Sequence, residues 1–160
     1  MSVAVVQPLP GIGDMIWHLP HIRAIAAHEG EAVTVVAKPR SRADRIFAGD
    51  PAVADTVWLD RNPDAGKGAA DGLGIFAMAA ALRRRRFRAA YLLHHSDSTA
   101  FLLWLARIPV RRGYGAGVQR LFLNRGPFLT GAEQRLIPAD QAAAWLARAR
   151  IPVTEPDPLL

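Results

Sequence analysis

Residues 3–20, VAVVQPLPGIGDMIWHLP, decide the fold. Val3 to Val6 is a short apolar run, largely β-branched, and Pro8 and Pro10 lack the N–H that a strand ladder needs, so a buried strand ends there. Gly11 and Gly13 let the backbone bend tightly, and Asp14 stands where a helix begins. In an α/β protein such a joint lies at the carboxyl end of a strand, where ligands bind. Function is expected at this turn.

Working outward, apolar residues at helical spacing predict a first helix over 14–29, with Pro20 inside it as a kink or loose turn and Gly30 as its stop. Residues 32–37, AVTVVA, are apolar at nearly every position, as parallel strands covered on both faces tend to be. A polar loop and short helix over 38–49, a third strand over 56–59 and a fourth over 87–94 follow, with a helix over 75–86 before the fourth. The stretch 60–74 is rich in Gly, Asp and Ala and long enough to close over a ligand. A short helix over 99–107, a fifth strand over 110–114 with a glycine-rich loop behind it, and a last helix over 138–150 complete the pattern. Residues 121–125 and 127–129 are too short to assign. Strands alternating with helices define an α/β fold, a Rossmann-like doubly wound parallel sheet of about five strands or more.

At 160 residues, 51% hydrophobic and 21% charged, the chain fits one domain with a single core. It has no cysteine, which excludes a disulfide framework and a thiolate metal site and suits the cytoplasm. The N-terminus lacks the pattern of a signal peptide, and no apolar run approaches a membrane span. A net charge of +6 favours anionic partners. The basic excess is almost all arginine, which bonds phosphate bidentately but also follows from an arginine-rich composition. A nucleic-acid module would show aromatic interleaving or a recognition helix, and neither is present, so nucleic acid is not an expected partner.

GIGD at 11–14 lacks the Gly-Lys-Ser/Thr ending of a phosphate-binding Walker loop, and the dinucleotide fingerprint would need glycine at Ile16. Asp14 keeps two readings. It complements the positive pole of the helix, or it accepts a proton from a sugar hydroxyl held within reach. His94, Ser96, Asp97 and Ser98 end the fourth strand and read either as a polar lip for hydroxyls and phosphate or as a helix N-cap. His18 and His21, with His94 and His95, make a histidine metal site arithmetically available, but no carboxylate spacing supports it. Arg83 to Arg86 and Arg88 read as a solvated helix end on the edge away from the site. Arg111, Arg112 and Arg120 flank the glycine-rich loop and are better placed to meet an anion.

These residues carry a resemblance. Residues 3–26 and 32–60, followed by the arginine-rich helix and strand, by SDSTAFLLWLARIPVRRGYG at 96–115 and by the last helix, resemble the N-terminal half of family 9 glycosyltransferases, the ADP-heptose lipopolysaccharide heptosyltransferases and their relatives. The resemblance implies one half of a GT-B architecture, in which two Rossmann-like domains face a cleft, the first binding acceptor and the second nucleotide sugar. It implies residues 1–151 as the acceptor-side domain, 152–160 as the start of an interdomain linker, and the absence of a donor domain from this chain. It makes Asp14 the base of an inverting displacement that uses neither metal nor cofactor, and Gly11, Gly13, His18, His94, Ser96, Asp97, Ser98, Arg112 and Arg120 candidates for substrate binding. The implied acceptor is a phosphorylated glycolipid at the cytoplasmic face of the inner membrane, with peripheral membrane contact. The nucleotide-sugar donor would be met only through the missing half. The chain alone would then be inactive, and surface left uncovered would favour self-association. Pro8-Leu9-Pro10 replaces the basic or polar residue usual before the family's glycines, which points to a different acceptor preference. Two other expectations stand beside this one: a standalone binding module for an anionic glycan or lipid, and a lone nucleotide-binding Rossmann domain.

Overall fold

A computed structural model describes residues 2–59 and 71–154. The expected closing loop falls mostly outside these residues, as does the end of the expected linker.

Among the described residues five strands and five helices alternate in chain order. They are β1 (Val3–Gln7), α1 (Ile12–Glu29), β2 (Val33–Ala37), α2 (Ala43–Ile46), β3 (Val53–Trp58), α3 (Asp71–Arg84), β4 (Ala89–Leu92), α4 (Asp97–Leu105), β5 (Val110–Gly113) and α5 (Pro138–Arg148). The strands form one sheet in the order β3-β2-β1-β4-β5, with every pairing parallel. Such a sheet requires a crossover between paired strands, and the helices supply it. After β3 the chain returns past β1 to lay β4 on its other side. The carboxyl ends of β1 and β4 therefore flank the point where strand order reverses, the usual place for a ligand in an open α/β sheet.

Alternate residues along each strand feed opposite faces. Val3, Val5, Val33, Val35, Tyr91 and Leu93 pack with α1 and α5 around Met15, Ile22, Ile25, Trp145 and Leu146. Ala4, Val6, Val36, Ala90 and Leu92 pack with α3 and α4 around Met78, Leu82, Leu102 and Leu103. The single core expected from length is thus two clusters divided by the sheet. The expected doubly wound parallel sheet is the observed one.

Two local readings change. α1 begins two residues earlier than expected, and Pro20 lies inside it without ending it. Neither Gly11 nor Gly13 makes a left-handed bend. Gly11 is the extended residue that precedes the helix, at φ −77°, and Gly13 is already helical; among the described residues the left-handed glycines are Gly30, Gly49, Gly115 and Gly117. The 121–129 region contributes only an isolated bridge from Arg125 to Arg112.

Candidate functional site

The switch point is built from the end of β1 outward. Gln7 is fully buried and its Oε1 accepts the Leu9 N–H at 2.6 Å, which pins the segment that Pro8 and Pro10 keep out of the ladder. Gly11 then opens α1 with no side-chain cap. Its lack of a side chain matters sterically, because a Cβ there would stand 2.6 Å from Asp14 Oδ2. A Cβ on Gly13 would meet nothing within 4 Å, so that face of the first turn is open. Asp14 occupies this turn, half-exposed, where the positive helix pole favours its charge.

One turn on, His18 is completely buried. Its Nδ1 lies 2.6 Å from the Asp14 carbonyl oxygen, which can only accept, and Nε2 is buried without a hydrogen bond. Burial pulls the His18 pKa down, against the opposing pull of Asp14. His21 stacks edge-on against His18, with ring centroids 5.8 Å apart, and burial with the repulsion of His18 lowers its pKa to about 4. At the end of β4, burial and then the charges of His95 and His18 lower the pKa of His94, whereas Asp14 raises it. Asp14, His18 and His94 thus share one electrostatic neighbourhood, with the imidazoles held neutral beside the carboxylate.

Next to them a cavity of about 500 Å³ opens over the sheet edge, lined by Pro8 to Pro10, Lys38, Leu59 and the β4–α4 joint from His94 to Ser96 with Ser98 and Thr99. Asp14 is not in this lining, but its charge acts on His94, which is. Ser96 serves α4 as its N-cap, accepting from the Thr99 N–H at 3.3 Å and donating to Thr99 Oγ1 at 2.7 Å. Asp97 is engaged as well: its Oδ1 accepts the Gln119 N–H at 2.9 Å and lies 3.6 Å from His95 Nε2. Ser98 is exposed on the cavity rim.

The arginines divide. Arg120 lies on a 3-10 turn, Gly117–Leu121, that packs beside α4, with its guanidinium over the Phe128 ring at 4.6 Å; it does not line the cavity. Arg112 is not brought to this group. It lies between the Tyr91 and Trp145 rings, at 5.3 and 5.2 Å, and donates to Tyr91 Oη at 3.2 Å and to the Gly126 carbonyl at 3.3 Å. Tyr91, pushed up to about 12 by burial and by its hydrogen bond to Glu29, anchors that network on the α1 face. Arg111 donates to the carbonyls of Phe122 and Ile108 on the opposite face. Alternation along β5 sends these neighbours to different sides of the sheet and neither to its carboxyl edge.

Lys38 and Gln119 belong to the site region without standing out in the sequence, and His95, available there only as a metal ligand, lines the cavity wall. Lys38 was within reach, because it directly follows β2 and shares its carboxyl edge with the ends of β1 and β4. Gln119 was not. Its Nε2 donates to the His94 carbonyl at 2.7 Å while its Oε1 accepts the N–H groups of Gly115 and Ala116 at 3.0 and 3.2 Å, a contact across 25 residues with no local signature. Among the described residues no group of three His, Cys, Asp or Glu side chains could hold a metal ion, and no helix is long and apolar enough to cross a membrane.

Fold and site together define a Rossmann-like α/β domain whose polar residues gather at the switch point. No protein-family model matches the sequence, and no curated protein does. Solved structures share the fold. The chain matches the E. coli ADP-heptose LPS heptosyltransferase II with a TM-score of 0.67 at 22% identity, and a glycosyl transferase family 9 structure from Veillonella parvula with 0.69 at 15%. It matches the E. coli heptosyltransferase WaaC, solved with ADP-2-deoxy-2-fluoro heptose, with 0.67 at 19%. These matches cover 100%, 96% and 98% of this chain but only 45%, 42% and 51% of the respective neighbours. The chain has the fold of about half of a heptosyltransferase.

Proposed function

We propose that the chain is the acceptor-side domain of a glycosyltransferase and that Asp14 is its base. The observation that carries this reading is the position of Asp14: half-exposed, in the first turn of α1 at the switch point, beside histidines held neutral by burial. Neutral imidazoles do not compete for its negative charge as a fixed cation would. In the proposed step the acceptor O–H bond breaks as Asp14 takes the proton. The oxygen forms a bond to the anomeric carbon of the sugar, and the nucleotide diphosphate leaves from the opposite side with the bonding electron pair, inverting the centre. The donor would be a heptose-like nucleotide sugar held by a second half, as the extra length of the neighbours suggests, so the chain alone would be inactive. Lys38, His94, Ser98 and the backbone at Gly13 would contact a phosphorylated, lipopolysaccharide-type acceptor at the cytoplasmic side of the membrane. With a donor-binding half supplied, Asp14→Asn should lower kcat by about 10²- to 10⁴-fold with little change in acceptor KM. An unchanged kcat would remove Asp14 from the role.

The cavity beside Lys38, separate from Asp14, supports a second reading, a binding module for an anionic glycan or lipid. Titration calorimetry with phosphorylated lipid A against a neutral sugar separates the two: tight, salt-sensitive binding that Lys38→Ala abolishes, with no transferase activity in any pairing, favours the module.

A further inference from the structure

The opposite edge of the sheet carries a different chemistry. Two adjoining hollows, of about 560 and about 440 Å³, open at the amino end of β4 and β5 and share Arg83, Arg107, Ile108 and Pro109 in their walls. Arg86 lines one and Arg111 the other; the Arg111 guanidinium is taken up by the Phe122 and Ile108 carbonyls, so the free guanidinium groups come from α3 and from the turns that follow α3 and α4. Among the described residues no acidic side chain lines either hollow. Among the described residues no hydrogen bond or ion pair occupies the side chains of Arg83, Arg86 or Arg107, although their neighbours Arg85 and Arg88 are paired, with Asp55 at 2.7 Å and with Glu29 at 2.7 Å. Trp104, 47% exposed, forms part of the wall and is held by stacking on Phe101 and by Phe122.

Arginines at a helix end ordinarily complement the helix dipole and face solvent. That explains Arg83 and Arg86 separately. It does not explain why arginines from three segments line adjoining hollows with an exposed indole beside them. A concave wall of one charge sign focuses field and concentrates counter-ions, and guanidinium forks match the oxygens of phosphate groups.

We infer that this arginine groove is a binding site for a compact oligoanion carrying two or more phosphates, separate from the switch-point site and independent of the transferase reading. Its size suits a small polyphosphorylated molecule or the head of a phosphorylated lipid rather than a nucleic-acid duplex.

Titration calorimetry of the 160-residue chain with inorganic tripolyphosphate, and flotation with vesicles of phosphatidic acid in phosphatidylcholine, test the site. Saturable binding in either arm is expected, weakening with salt. The Arg83→Gln/Arg107→Gln double variant, which alters only exposed side chains, should weaken it by about tenfold or more. The charge-matched Arg45→Gln/Arg135→Gln variant, whose side chains line neither hollow, should weaken it less than about threefold. Tripolyphosphate binding marks a soluble ligand as the source, and vesicle binding alone marks a lipid headgroup; both support the site. No saturable binding in either arm, equal loss in the two double variants, or tighter capture of a short oligonucleotide at the same arginines would overturn the assignment.

Discussion

At the level of single residues, the switch point depends on side chains that are absent as well as present. Gly11 has ordinary extended backbone angles that alanine adopts freely, so its constraint is the space Asp14 occupies. Gly11→Ala should therefore displace the Asp14 carboxylate; under the proposed role of Asp14, and with a donor-binding half supplied, it should lower transfer at least about tenfold while thermal stability shifts by under about 1 kcal/mol, as a melting curve beside the assay would reveal. Gly115 is the contrary case. Its φ is +75°, and a Cβ would collide with the Phe128 ring, so Gly115→Ala should cost about 3 kcal/mol in urea denaturation. The hydroxyl of Tyr114 is buried with no hydrogen-bond partner, and the desolvation of its charged form drives its pKa upward. Removing that oxygen discards an unmet hydrogen-bonding group at little loss of packing. Tyr114→Phe should be neutral or stabilising by up to about 1 kcal/mol; a loss of more than that would reveal a partner for the hydroxyl.

At the level of elements, the joint between β4 and α4 is held by a distant turn. Gln119 alone ties the His94 carbonyl to the N–H groups of Gly115 and Ala116, and Asp97 receives the Gln119 N–H. Truncating a buried side chain that satisfies three backbone groups leaves them without partners. Gln119→Ala should cost about 2–3 kcal/mol and speed amide hydrogen exchange at Gly115 and Ala116 ahead of the sheet. The element boundaries follow the same logic. β1, β2 and β4 are legible in the sequence because both their faces are buried, which writes a continuous apolar run. β3 reads poorly because, as an edge strand with partly exposed residues, it keeps Asp55 and Thr56 within it.

At the level of the molecule, acidity should act through the histidines between α1 and the sheet before it acts through carboxylates. The folded pKa of His21, about 4, lies below its ordinary 6.5, so the unfolded chain binds more protons between those values. The associated stability is present above pH 6.5 and is lost as pH falls toward 4; His18 and His94 are lowered too and act with the same sign. Between pH 7.5 and 5 the loss from His21 should be about 2 kcal/mol, and in His21→Gln the slope of denaturation midpoint against pH should flatten over that window. A slope unchanged by the substitution would place the titration elsewhere.

The order of strands and helices, the parallel class of the sheet and the placing of Asp14 at its carboxyl edge were determined by the sequence, because apolar periodicity and glycine–proline punctuation are local properties of the chain. The positions of Asp14 and His18 on the first helix, and of His94 and Ser98 after the fourth strand, were legible for the same reason. The separation of Arg112 from Arg120, the reach of Gln119 to His94 and the meeting of Arg83 with Arg107 and Arg111 were decided only by the tertiary structure. They depend on which face of the sheet a residue takes and on which elements the crossovers bring side by side, and both follow from packing the two apolar faces of the sheet, a condition that no stretch of sequence expresses alone.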